Sequence, residues 1–148
     1  MFRGSSYHTI DAKGRIIIPT RFRDAIKTEN RNGVMVTKFD GSLVAYPYDE
    51  WENVENKILS LAKTSDTMRR FRRVFIGGAF DCVCDKQDRI LIPPSLREYA
   101  DLQKEIVLAG VLKIFEIWSR ERWDSEHAKM AEDMKKEDVR NEIALLGL

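Results

Sequence analysis

The sequence predicts a mixed β/α domain with an all-β core, built from two internal repeats around a pseudo-two-fold axis and carrying peripheral helices. Three observations predict it. Asp11-Ala12-Lys13-Gly14-Arg15-Ile16-Ile17-Ile18-Pro19 returns 74 residues later (85 − 11 = 74) as Asp85-Lys86-Gln87-Asp88-Arg89-Ile90-Leu91-Ile92-Pro93. The echo continues at a shift of 72 (106 − 34 = 72): Val34-Met35-Val36 matches Ile106-Val107-Leu108, Tyr46 matches Trp118, and Trp51 matches Trp123. Each copy also runs from a turn into a branched apolar stretch, a proline and a short helical pattern. Two copies point to one closed symmetric domain, not an open solenoid.

Along the chain, Tyr7–Ile10 and Arg15–Ile18 read as a hairpin. Asp11 and Gly14 hold the first and fourth corners of a type I turn, and the run after Arg15 reads as a buried strand that Pro19 ends. Thr20 to about Ile26 has a helical face of Phe22, Ala25 and Ile26. Pro94 takes the equivalent of position 20, a place proline tolerates. Val34–Phe39, the Asp40-Gly41 turn and Leu43–Tyr46 form a second hairpin. Pro47 stops that strand. Asp49 is then the expected cap, with Glu52 three residues on, of a helix over about 50–63 with the stripe Trp51, Val54, Ile58, Leu61 and Ala62.

Residues 66–75 set Arg69, Arg70, Arg72 and Arg73 around Met68, Phe71, Val74 and Phe75, with Phe71 expected to point inward, which reads as a solvated or subunit-contacting helix face. Ala79–Cys84, Arg89–Ile92, Ile106–Ala109 and Lys113–Trp118 repeat the strands. Ser119 caps a final helix with the stripe Trp123, His127, Met130 and Met134. Asp124–Glu142 is dense in mixed charge, and a last patch, Val139, Ile143 and Leu146, is displaced from the stripe.

The chain has 148 residues, 43% hydrophobic and 33% charged, which suits one globular domain. No apolar run reaches membrane-spanning length and no signal-peptide core is visible. Two cysteines, Cys82 and Cys84, are too few for a disulfide framework and fit a reducing cytoplasm. The net charge of +1 hides a division: residues 1–80 carry 14 bases and 9 acids, residues 81–148 carry 11 and 15. The N-terminal quarter therefore has a local field that attracts phosphate.

Catalysis is not expected. His8 and His127 lie far apart in sequence with no nucleophile motif, and Gly77-Gly78 lacks a phosphate-loop frame. Asp11 and Asp85 are accounted for by their turns. A metal site from His8, Cys82 and Cys84 requires the two copies of that strand to meet; a small buried cysteine is the plainer reading, and no metal or other cofactor is expected. The basic tips can shield sheet edges. Presented twice by a symmetric body, they also suit two nearby stretches of DNA.

Met1-Phe2-Arg3-Gly4, His8-Thr9-Ile10-Asp11-Ala12-Lys13-Gly14-Arg15 and the second Asp85-x-x-x-Arg89 resemble the MraZ transcriptional regulators, relatives of AbrB and SpoVT. The resemblance runs from Met1 to about Met134. It implies a double-split, swapped-hairpin β-barrel, with AbrB-like repeats at residues 5–50 and 79–122, a helical connector at 51–78, and a C-terminal helix and tail at 123–148. It further implies a ring-like homo-oligomer that represses from tandem DNA repeats upstream of its own division and cell-wall gene cluster. On this reading Arg3, Lys13, Arg15, Lys86 and Arg89 contact double-stranded DNA, and Asp11, Gly14, Asp85 and Asp88 form the turns. The protein is expected in the cytoplasm on the nucleoid, with no membrane or small-molecule substrate. The alternative is an antitoxin-type protein-interaction module. One departure stands out: Asp88 occupies the place where the family usually has a second glycine, and a negative charge there beside Arg89 is expected to weaken the second tip.

Overall fold

The computed structural model describes residues 1–60 and 65–148. Eight strands and six helices alternate in two similar series among them. The first is β1 (Ser5–Thr9), β2 (Arg15–Ile17), α1 (Thr20–Ile26), β3 (Gly33–Phe39), β4 (Ser42–Tyr46), α2 (Tyr48–Leu59) and α3 (Asp66–Gly77). The second is β5 (Phe80–Val83), β6 (Arg89–Leu91), α4 (Pro94–Tyr99), β7 (Glu105–Val111), β8 (Ile114–Ser119), α5 (Arg120–Asp133) and α6 (Glu137–Ala144).

The repeats are interleaved, which corrects the expected first hairpin. β1 does not pair with β2. It pairs antiparallel with β7 of the other half, while β2 pairs antiparallel with β6. One sheet runs β1-β7-β8-β4-β3-β5, and β2-β6 is a separate two-stranded ribbon. Two residue pairs mark the pseudo-axis. Val44 faces Glu116, its own counterpart at a shift of 72, and Ile16 faces Ile90, its counterpart at 74. The β3–β4 hairpin forms as expected; Asp40 and Gly41 have φ of 56° and 83°, as a two-residue hairpin turn requires.

The core is not made by strands alone, a second correction. Phe22 and Ile26 of α1, and Leu96 of α4 with Ala100 just after it, join Ile16, Ile18, Ile90 and Ile92 of the ribbon run against Val34, Val36, Ile106 and Leu108 of the sheet. On the first half Trp51, Ile58 and Phe75 form a second cluster, with Trp51 and Phe75 stacked at 5.8 Å. Trp118 and Trp123 reproduce the Tyr46–Trp51 contact at 6.2 Å against 5.4 Å.

Helix ends differ from the reading in two places. α2 starts at Tyr48 behind Pro47, so Asp49 and Glu50 lie in its first turn, where acids favour the helix dipole, and no side chain caps it. Leu61, Ala62 and the expected end near 63 lie outside the described residues. The C-terminal helix breaks after Met134 into α5 and α6, which explains the displaced Val139–Ile143 patch. Ser65 and Ser119 are working caps, accepting from Met68 N and Arg122 N.

Phe2 ties the N-terminus to the second half. It is 2% exposed, meets Phe22 at 5.2 Å and Phe115 at 5.4 Å, and its main chain bonds both ways with Leu112. Phe2→Ala is expected to cost about 3–5 kcal/mol by leaving a cavity in this cluster. Urea unfolding will read this as a lower midpoint with an unchanged slope.

Candidate nucleic-acid interface

Each tip is a clasp made by one aspartate. Asp11 Oδ1 accepts from the backbone N–H of Lys13 (3.0 Å) and of Arg15 (2.8 Å), and Oδ2 accepts from Arg15 Nε (2.6 Å). Asp85 repeats this with Gln87 N (2.8 Å), Arg89 N (3.0 Å) and Arg89 Nε (2.8 Å). Gly14 N donates to Asp11 O, and Asp88 N to Asp85 O, closing both turns. An arginine held through Nε keeps its planar terminal nitrogens directed past the carboxylate. The backbone N–H of Arg15, then its side chain, holds the Asp11 carboxyl down at about 2; the Arg89 N–H lowers Asp85 in the same way.

The halves complete each other at the tips. Ile18 N donates to Asp88 O (2.9 Å) and Ile92 N to Gly14 O (2.8 Å). Gly14 and Asp88 both have positive φ, 91° and 59°. A Cβ on Gly14 would meet the Arg97 guanidinium at 2.8 Å and the Ile92 carbonyl at 3.0 Å, so the positive φ and the close approach both favour glycine there. At the second tip the Asp88 carboxylate reaches Arg23, with Nη1 to Oδ2 at 3.4 Å. Asp88 therefore engages Arg23 and not its neighbour Arg89, whose side chain Asp85 already holds. Arg23 Nε donates to Ile18 O (2.9 Å), whereas its counterpart Arg97 (23 + 74 = 97) has a buried, unbonded Nε.

Arg15 and Arg89 share the outward face of the β2–β6 ribbon at diagonal corners, Arg15 opposite Leu91 and Arg89 opposite Ile17. Lys13 and Lys86 are exposed at the tips but are not counterparts: Lys86 matches Ala12, and Gln87 matches Lys13. Arg3 is not brought to the first tip. It precedes β1, and the first tip follows that strand's other end, roughly 14 Å away at the rise of a strand. Its carbonyl accepts from Arg21 Nε instead (3.3 Å).

The metal constellation does not assemble. His8 sits on β1 and Cys82 on β5, the two ends of the six-stranded order, and these strands do not pair. Burial pushes the Cys82 thiol up to about 12, which leaves it inert. Among the described residues no group of histidine, cysteine and carboxylate side chains is arranged to hold an ion.

Sequence reasoning missed Ile17 and Leu91, which it buried with their neighbours; they are 52% and 55% exposed. It also missed Arg23 and Arg97 beneath the tips. Strand alternation would have found the first pair, and the 74-residue shift the second.

The two repeats thus present one ribbon with a duplicated Asp–Arg clasp. The family profile described as "MraZ protein, putative antitoxin-like" matches residues 1–74 and again 75–143. The chain is 60% identical to "Transcriptional regulator MraZ" of Desulforapulum autotrophicum and 53% to that of Desulfosudis oleivorans, each over 148 residues and the full length of both proteins. It is 46% identical to the Syntrophobacter fumaroxidans protein of the same name over 132 residues, 89% of this chain and 87% of the relative. The chain belongs to the MraZ family.

The clasp has a pH signature. The Asp11 value of about 2 lies below the ordinary 3.8, so its support of the tip is complete above pH 3.8 and lost as pH falls toward 2. Carboxyl NMR titration should place Asp11 well below the ordinary aspartate value of 3.8, and Asp11→Asn should remove the matching shift of the Arg15 amide.

Proposed function

We propose that this protein is a sequence-specific DNA-binding transcriptional regulator, a repressor acting on tandem repeats upstream of its own division and cell-wall gene cluster. The observation that carries the reading is the pair of matching Asp–Arg clasps, Asp11–Arg15 and Asp85–Arg89, on one two-stranded ribbon. Such a ribbon fits the major groove, where an arginine fork can pair with guanine O6 and N7. Lys13 and Lys86 then contact phosphate, setting register and salt dependence. Arg3, away from the first tip, would add to the general field.

The body is read as a double-split β-barrel with repeats at 5–50 and 79–122, joined by the 51–78 connector and followed by 123–148. The exchange of β1 and β2 into the other half's ladders supports this. The protein would act in the cytoplasm on the nucleoid, without a cofactor. No helix among the described residues is long and apolar enough to cross a membrane. The family description favours one rival, an antitoxin-like module that binds protein. A gel shift with DNA from upstream of the gene decides between them: no shift at low salt sinks the DNA reading.

The tips should be unequal. The second carries Asp85 and Asp88 where the first carries Asp11 alone, and Asp88 also engages Arg23. Arg15→Ala is expected to weaken operator binding by about 1–3 kcal/mol, more than Arg89→Ala. Asp88→Gly should tighten it, most at low salt where repulsion is least screened. Equal losses from both arginine variants and no gain from Asp88→Gly would refute the inequality.

Ring-like homo-oligomers meeting repeated sites would raise avidity roughly 10²–10⁴-fold. Light scattering should give a mass well above the 17.2 kDa of one chain. Trimming the probe to one repeat should weaken binding steeply; a monomer indifferent to repeat number defeats this part.

A further inference from the structure

The three apolar residues after each clasped arginine do not all serve the core. Ile16, Ile18, Ile90 and Ile92 are fully buried, while Ile17 and Leu91 are half exposed. In the ribbon register, Arg15 stands opposite Leu91 and Ile17 opposite Arg89. The outward face is therefore a lozenge, with the two arginines on one diagonal and two large aliphatic side chains on the other. Period-two alternation directs both aliphatics away from the core, so polar residues there would cost the core nothing. Both copies nevertheless place a large aliphatic side chain at this position.

Resting on the DNA reading above, we infer that Ile17 and Leu91 are specificity-determining residues that cover the C5-methyl groups of thymine. The major groove admits a two-stranded ribbon, and thymine alone among the bases presents a methyl there. Cross-strand neighbours such as Arg15 and Leu91 stand about 5 Å apart. Base pairs rise about 3.4 Å per step. A guanine read by an arginine would then have a thymine within one or two steps of it. Phosphate contacts from Lys13 and Lys86 would hold the ribbon in that register. The adjoining guanidiniums favour DNA over a second copy of this chain, since a subunit contact would bury two cations with the aliphatics.

The test uses the full-length protein and two duplexes of the same upstream sequence, one natural and one with deoxyuridine at every thymine. These differ only in methyl groups. Wild-type affinity should fall roughly fourfold for each methyl covered. The Ile17→Ala, Leu91→Ala double variant should bind the natural duplex about as wild type binds the uracil duplex, and should no longer tell the two apart. The wild-type arm needs no variant to fold, and circular dichroism checks the variant.

Equal wild-type affinity for both duplexes overturns the inference, as does a double variant that keeps the full ratio. A double variant that loses the wild-type assembly by light scattering assigns the aliphatics to a subunit contact, and also overturns it. Wild type that binds neither duplex refutes the DNA reading itself, a result distinct from the other three.

Discussion

The main-chain bonds exchanged between the halves, from Ile18 N to Asp88 O and from Ile92 N to Gly14 O, hold the tips in place. β2 has its ladder with β6, and β1 has its ladder with β7. A tip is thus closed locally by its aspartate but positioned by the other repeat. The left-handed backbone at residues 14 and 88 aims each carbonyl at the opposite strand, and α1 and α4 send Arg23 and Arg97 beneath the opposite tips. Each arginine is therefore a local feature on a non-local support.

Much of this was legible in the sequence, because its signals are local. Asp-x-x-Gly chemistry reports a turn, Asp40-Gly41 a hairpin, and Pro47 the end of a strand; the 74-residue echo reports the symmetry. The pairing partner of each strand was not legible. A turn between β1 and β2 has the same corner residues whether its strands pair with each other or with another repeat, so the hairpin reading was natural and wrong. Ile16-Ile17-Ile18 similarly reads as a buried run until the ribbon's outward face is known. Arg3 appeared close to the first tip in sequence, but an extended strand converts eight residues into distance. His8 and Cys82 occupy equivalent places, and the same symmetry that aligns them sends them to opposite ends of the strand order.

The copies have also diverged where their environments differ. Phe2 enters the main cluster, while Ile76, its counterpart at a shift of 74, packs on the second cluster with Trp51 and Phe75. α3 is sealed onto that cluster through Phe71 and Phe75, with ring centroids 5.1 Å apart. Its counterpart α6 has no buried residue, and Leu145 and Leu146 beyond it are largely exposed. At the tips, glycine leaves room for Arg97 while aspartate ties down Arg23. One backbone design thus carries two electrostatic settings.

Strand interleaving also bears on how the chain emerges from the ribosome. Of the antiparallel ladders, only β3–β4 and β7–β8 join neighbours in sequence. β1 waits for residues 105–109 and β2 for residues 89–91. Throughout that interval the nascent first half carries unsatisfied strand edges and the apolar Ile16–Ile18 run, the kind of surface that holdase chaperones capture. Closure over such sequence separations is slow relative to local hairpin formation. Synthesis of the second repeat thus acts as the release step for the first, and no nascent chain can present a finished tip before residues 88–92 have emerged.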